Sequence, residues 1–68
     1  MTDHQFDALA QLMRLRDSAS REALRLVLVE GLTHSAAAER TGAPRPSVTR
    51  QVGSARRTIA LARCVAQD

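Results

Sequence analysis

Apolar residues along the chain recur at three- and four-residue intervals, the spacing of helix faces rather than strands. Phe6, Leu9, Ala10 and Met13 fall at i, i+3, i+4 and i+7, and Leu12 and Leu15 widen this stripe to one side. Thr2, followed three residues later by Gln5, gives the helix a capping-box start, and the cap-type residues of "RDSAS" predict its end around Arg16. A second helix is predicted from about Ser20 to Glu30, ended by Gly31. Leu24, Val27 and Leu28 form its core face, while Leu26 and Val29 lie off it. The "LVLV" run is short and partly β-branched, but one strand in an otherwise helical chain has nothing to pair with.

Thr33 caps a short third helix, "HSAAAERT", which Gly42 ends; the small side chains Ala36–Ala38 let another helix approach closely. The fourth helix starts at "RPSV". Pro46 suits the first turn, where its missing N–H costs nothing, and is predicted to hold Arg45 outside the helix in a cap-like position. From there Val48, Val52, Ala55, Ile59, Ala62 and Ala66 recur at spacings of 4, 3, 4, 3 and 4, a single seam over about 20 residues. The expectation is an all-α single domain over residues 1–68, with four helices or at most five and a long C-terminal one.

Composition adds mainly exclusions. A chain of 68 residues builds a thin core, so association with another copy is an expected supplement. No apolar run approaches the roughly 20 residues needed to cross a bilayer, and the N-terminus lacks a basic stretch followed by an apolar one, so a cytoplasmic protein without membrane contact is expected. Cys64, the one cysteine, provides neither a disulfide framework nor a metal site. No Cys/His, Ser/His/Asp or paired-carboxylate arrangement supports an enzyme, and no cofactor, metal or small-molecule substrate is expected.

Charge is more informative. All ten basic residues are arginine. Residues 1–44 hold five of them against six acids, whereas residues 45–67 hold the other five (Arg45, Arg50, Arg56, Arg57 and Arg63) and no acid. Such sign segregation in a small domain points to a polyanionic partner. A single-stranded nucleic acid fits poorly, because such sites stack bases on aromatic rings and Phe6, the sole aromatic, belongs to a core stripe.

The third and fourth predicted helices follow a helix-turn-helix pattern over about residues 33–57. The 20-residue unit wants a small residue at its fifth place, glycine at its ninth and a branched apolar residue at its fifteenth. Counted from His34, these are Ala38, Gly42 and Val48. The eighteenth place, usually apolar, is Gln51, with Val52 one later. On a helical wheel Val52, Ala55 and Ile59 cluster within about 40° of Val48, and Arg50, Gly53, Ser54 and Arg57 fall on the other side. Arginine forks onto guanine O6 and N7 in the major groove and also binds phosphate. Candidate base contacts are therefore Arg45, Ser47, Thr49 and Arg50, at the helix end that enters the groove in such modules. Candidate phosphate contacts are Thr33, His34 and Ser35 at the start of the third helix, and Gln51, Arg56 and Arg57 on the fourth. Gly53 would allow close approach to a groove wall.

With these residues in view, the sequence resembles the KorA/TrfB family of plasmid-encoded transcriptional repressors over nearly its whole length. The resemblance lies in the opening "MT..QF", in "VLVEG", and in "TGAPRPSVTRQV", where Gly42, Arg45, Val48 and Val52 match the family's spacing. It implies a helical domain, working on plasmid or nucleoid DNA in a bacterium, that represses operons for plasmid maintenance, transfer or antirestriction by binding palindromic double-stranded operators as a homodimer. The family's base-reading Gln falls on Arg50, and a further base-reading Arg falls on Ser54, which joins the candidate base contacts. The family's C-terminal dimerisation segment has no counterpart up to Asp68, so dimerisation is expected on Leu12, Leu15, Leu26 and Val29 or on the end of the fourth helix between Ile59 and Val65. The alternative is a small helical protein-interaction module, such as an anti-repressor or polymerase-binding adaptor, using the same lateral leucines and valines.

Overall fold

The computed structural model describes residues 1–67 and contains four helices among them: α1 (Asp3–Leu12), α2 (Ala19–Leu28), α3 (His34–Thr41) and α4 (Arg45–Gln67). The all-α architecture is the one the spacing predicts. Each of the first three helices starts at a side-chain cap. Gln5 N–H donates to Thr2 Oγ1 at 3.1 Å while Thr2 N–H donates to Gln5 Oε1 at 2.9 Å, completing the capping box. Ser18 accepts from Arg21 N–H and Thr33 from Ala36 N–H, each satisfying one of the amide groups a helix start leaves over.

α1 stops at Leu12, well before Arg16, and the reason is conformational. Arg14 takes a left-handed φ of 54°. Leu15 N–H then returns to the Ala10 carbonyl at 3.0 Å and Arg14 N–H to the Gln11 carbonyl at 3.1 Å, the paired bonds of a Schellman ending with arginine where glycine is usual. The same bonds turn Leu15 back onto the core. α2 ends at Leu28, two residues short of the expected Glu30, and Gly31 at φ 77° turns the chain out.

α2 and α4 are the central helices: each packs against the other three, whereas α1 and α3 do not touch. That placement corrects the expected face of α2. Ala23, Leu24 and Leu26 are its buried residues, while Val27 and Leu28 are only half-buried. Leu24 and Leu26 stand about 160° apart on the helix, so neighbours cover both sides of it. Leu26, expected on a lateral surface, is core. Leu15, Val29 and Ile59 are partly buried against the same core, and only Leu12 and Val65 of the anticipated association residues stand free, at 66% and 76% exposure. Met1 and Leu61, which the periodicity had not marked, join them.

α1 and α2 are also joined by charge. Arg25 reaches Glu22 at 2.8 Å, Asp3 at 3.3 Å and Glu30 at 3.3 Å, and Arg21 lies 3.7 Å from Asp7 and over the Phe6 ring. The hydrogen bond from Arg25 holds the Glu22 carboxyl below its ordinary value of 4.5. Among the described residues no helix is long and apolar enough to cross a membrane.

Two stability outcomes are expected. Arg14→Gly relieves the left-handed strain and should raise unfolding free energy by about 1 kcal/mol in urea titration. Because the Glu22 value is depressed, its contribution is complete above pH 4.5 and fades as pH falls through the lowered value. Acid titrations of the wild type and Arg25→Ala, followed by far-UV circular dichroism, should therefore converge below that pH.

Candidate nucleic-acid interface

Three residues, Gly42, Ala43 and Pro44, connect α3 to α4. Gly42 sits at φ 76°, and its N–H donates to the Ala38 carbonyl. The left-handed angle is the reason for glycine here, since an added Cβ would meet nothing within 4 Å. Thr41 spans the turn: its hydroxyl donates to the Ala37 carbonyl at 2.8 Å and accepts from Ala43 N–H at 3.3 Å. Ala43 then tucks into the core. Ala38 at the fifth place and Val48 at the fifteenth are both buried, so all three pattern positions carry out the packing or turning their residue types predict.

The start of α4 differs from expectation. Arg45 is its first helical residue, not a cap. The Pro44 carbonyl accepts from Ser47 N–H at 3.0 Å and Val48 N–H at 3.1 Å, which makes Pro44 the boundary residue. Pro46, second in the helix, lacks an N–H where none is required. Pro44 has no polar side chain to cap this end, and Arg45 is left on the surface beside it.

Arg45, Arg50, Arg56, Arg57 and Arg63 are all exposed, and none is in an ion pair among the described residues. Every such pair is made by Arg21 or Arg25 with acids of α1, α2 and the end of α2. The charge division in the sequence is thus also a spatial one. Arg50 and Arg57 occupy the side of α4 turned away from Val48, Val52 and Ala55, with exposed Thr49 at one edge. Thr49 Oγ1 is 3.2 Å from His34 Nδ1, so the starts of α3 and α4 meet through two of the candidate contacts. Thr33 and Ser35 flank that junction in sequence and are exposed, although the Thr33 oxygen is engaged in capping.

Ser47 and Ser54 are half-buried rather than open, and Ser54 Oγ accepts from Arg57 Nη2 at 3.2 Å. Gly53 has open space where a Cβ would stand, so nothing inside the chain requires glycine there. Gln51 departs most from its anticipated role. The residue is half-buried, and its Oε1 is turned into the protein without a hydrogen-bond partner. The signal was present in the pattern itself: the eighteenth place is an interior one. Thr41, whose hydroxyl ties the turn, carried no signal beyond being a cap-type residue before glycine. No group of three or more His, Cys, Asp or Glu among the described residues comes together to hold a metal ion.

The chain matches no family model, no curated protein and no solved structure. The site is therefore characterised by its own geometry: an unpaired guanidinium face on a long helix, set at a fixed angle to a short one by a three-residue turn.

Gln51→Leu removes a buried, unpartnered amide oxygen and puts an apolar side chain at a half-buried place. It should raise stability by about 1 kcal/mol, a rise of roughly 4–8 °C in Tm for a domain of this size. Duplex affinity should be unchanged in the same variant; a loss would return Gln51 to the phosphate side.

Proposed function

We propose that this protein is a sequence-specific double-stranded DNA-binding transcriptional repressor, acting as a homodimer on a palindromic operator, with the first half of α4 seated in the major groove of each half-site. The observation that carries this is the exposed arginine face of α4 immediately beyond the α3–α4 turn, in no ion pair among the described residues. Guanidinium groups without a carboxylate partner can fork onto base edges or phosphates, and acids nearby would both compete for them and repel a polyanion. The KorA/TrfB resemblance supports the same function and points to a plasmid-borne, bacterial setting. Repression then follows from occupancy: a protein held on a promoter by two half-sites blocks polymerase, and no chemical step is involved.

Roles divide by position. Arg50, with Thr49 beside it, faces outward near the helix start and reads bases. Arg45, Arg56 and Arg57 neutralise phosphates and set the register, with His34 and Ser35 at the start of α3 alongside. About six phosphate contacts from two copies would give a slope near −5 for log affinity against log salt concentration.

A fragment from upstream of the protein's own operon should be retarded at low protein concentration in a gel-shift assay and should resist competition by random duplex. Equal affinity for both, or affinity indifferent to salt, sinks the proposal and favours a protein-docking module. Arg50→Ala should lose about 1–3 kcal/mol of discrimination at one base position. Uniform loss across all positions reassigns that side chain to the backbone.

A further inference from the structure

A groove of about 280 Å3 opens between α1 and the last turns of α4. Its two walls are far apart in the chain, Leu9 and Ile59 being 50 residues from each other, so no local motif announces it. Leu9 is buried and Ile59 half-buried, while Ala8, Leu12, Ala62 and Ala66 are exposed beside them. Three polar side chains reach the groove: Gln5, Thr58 and Arg63. Two of them are already engaged. Gln5 Oε1 accepts from Thr2 N–H at 2.9 Å in the capping box, and the Thr58 hydroxyl donates to the Ser54 carbonyl at 3.0 Å. Arg63 is different. It is exposed, it is the only charged side chain lining the groove, and it is in no ion pair among the described residues.

We propose that this groove binds a free single-chain carboxylate of about ten carbons, its chain laid between α1 and α4 and its head held by Arg63.

Size sets the chain. A dry cavity of about 150 Å3 takes the six carbons of benzene, roughly 25 Å3 for each. At that rate a volume of 280 Å3 holds about eleven carbons. Charge sets the head. A guanidinium group presents two parallel N–H donors at the spacing of the two carboxylate oxygens. No acid lines the groove to compete for them. A cationic head would meet the like charge of Arg63, and an uncharged one would leave its donors unused. Small anions fit less well, because they gain the guanidinium group and leave Leu9, Leu12 and Ile59 as wet as before. Covering those side chains is the larger gain, since an exposed ion pair alone contributes little.

The groove also lies clear of the candidate DNA face. Ile59 and Ala66 stand about 180° and about 160° around α4 from Arg50. A ligand here and a duplex on Arg50 would occupy opposite sides of one helix. The two proposals are therefore independent, and each can fail alone.

The groove is open and its cation exposed, so decanoate should bind the whole chain with a Kd of roughly 0.1–1 mM. Methyl NMR should show saturating shifts concentrated on Leu9, Leu12, Ile59 and Ala62, with Val48 unmoved. Arg63→Ala should weaken decanoate about fivefold and leave the uncharged probe octanol where it was. Arg63→Lys, which keeps the charge without the fork, should fall between. Ala62→Phe fills the groove from an exposed position, so helicity by circular dichroism should persist while both probes lose their binding. Decanoate shifts that do not saturate, that spread over the chain or that survive Ala62→Phe overturn the proposal. Equal weakening of decanoate and octanol by Arg63→Ala overturns the role of that side chain. Co-sedimentation with phosphatidylglycerol vesicles without any shift from free decanoate assigns the groove to a membrane surface instead. Shifts of the same methyl groups on raising protein concentration alone, with decanoate unable to reverse them, assign it to a second copy. Either result overturns the proposal.

Discussion

Six of the twelve buried core side chains are alanine, so the helices meet with little side-chain depth between them. Close approach of this kind restricts how helices can cross, because there are no long side chains to take up an error in angle. Val48 makes the constraint local. Fully buried at the start of α4, it holds that helix against its neighbours at the point where the chain has just left the α3–α4 turn. The direction of α4, and with it the placement of every arginine on it, depends on that contact. Gly42 and Thr41 keep the turn compact enough for the contact to form.

Electrostatics follow the same division. The acids of the first 44 residues are spent largely on Arg21 and Arg25, in exposed pairs that tie α1 to α2 and contribute little individually. Their larger effect is what they leave alone. With four of the carboxylates gathered around Arg21 and Arg25, the guanidinium groups of α4 have no carboxylate partner among the described residues. A domain with a net charge of only +3 thus presents a strongly cationic side.

How much of this could be read from sequence depended on whether the cause was local. Thr2 and Thr33 work as caps, and Gly31 and Gly42 as left-handed glycines, because their roles depend on neighbours a few residues away. The end of α1 is not legible because Arg14 takes a left-handed conformation usually left to glycine, closed by backbone hydrogen bonds and by Leu15 packing on the core. Periodicity puts Leu26 on a surface because it gives α2 one buried side; the central position of that helix gives it two. Arg45 entered the helix against the usual bias of a residue before proline, because the Pro44 carbonyl supplies the boundary instead. At the candidate site the exposed arginines were legible from charge and periodicity. The buried Oε1 of half-buried Gln51 is not, since its polarity argues for the surface and only its place in the pattern argues against it.

One helix carries both the arginine face and the apolar end, with no break between Arg45 and Gln67. The two ends are therefore locked in rotation as well as in distance. Inserting a single residue after Arg57 would turn the apolar end by about 100° relative to the arginines and advance it by about 1.5 Å. Seven residues would restore the phase to within about 20° while lengthening the helix by about 10 Å. Length change in α4 is thus quantised: the helix acts as a ruler graduated in heptads, and chains that keep both surfaces in use can differ there only by whole graduations.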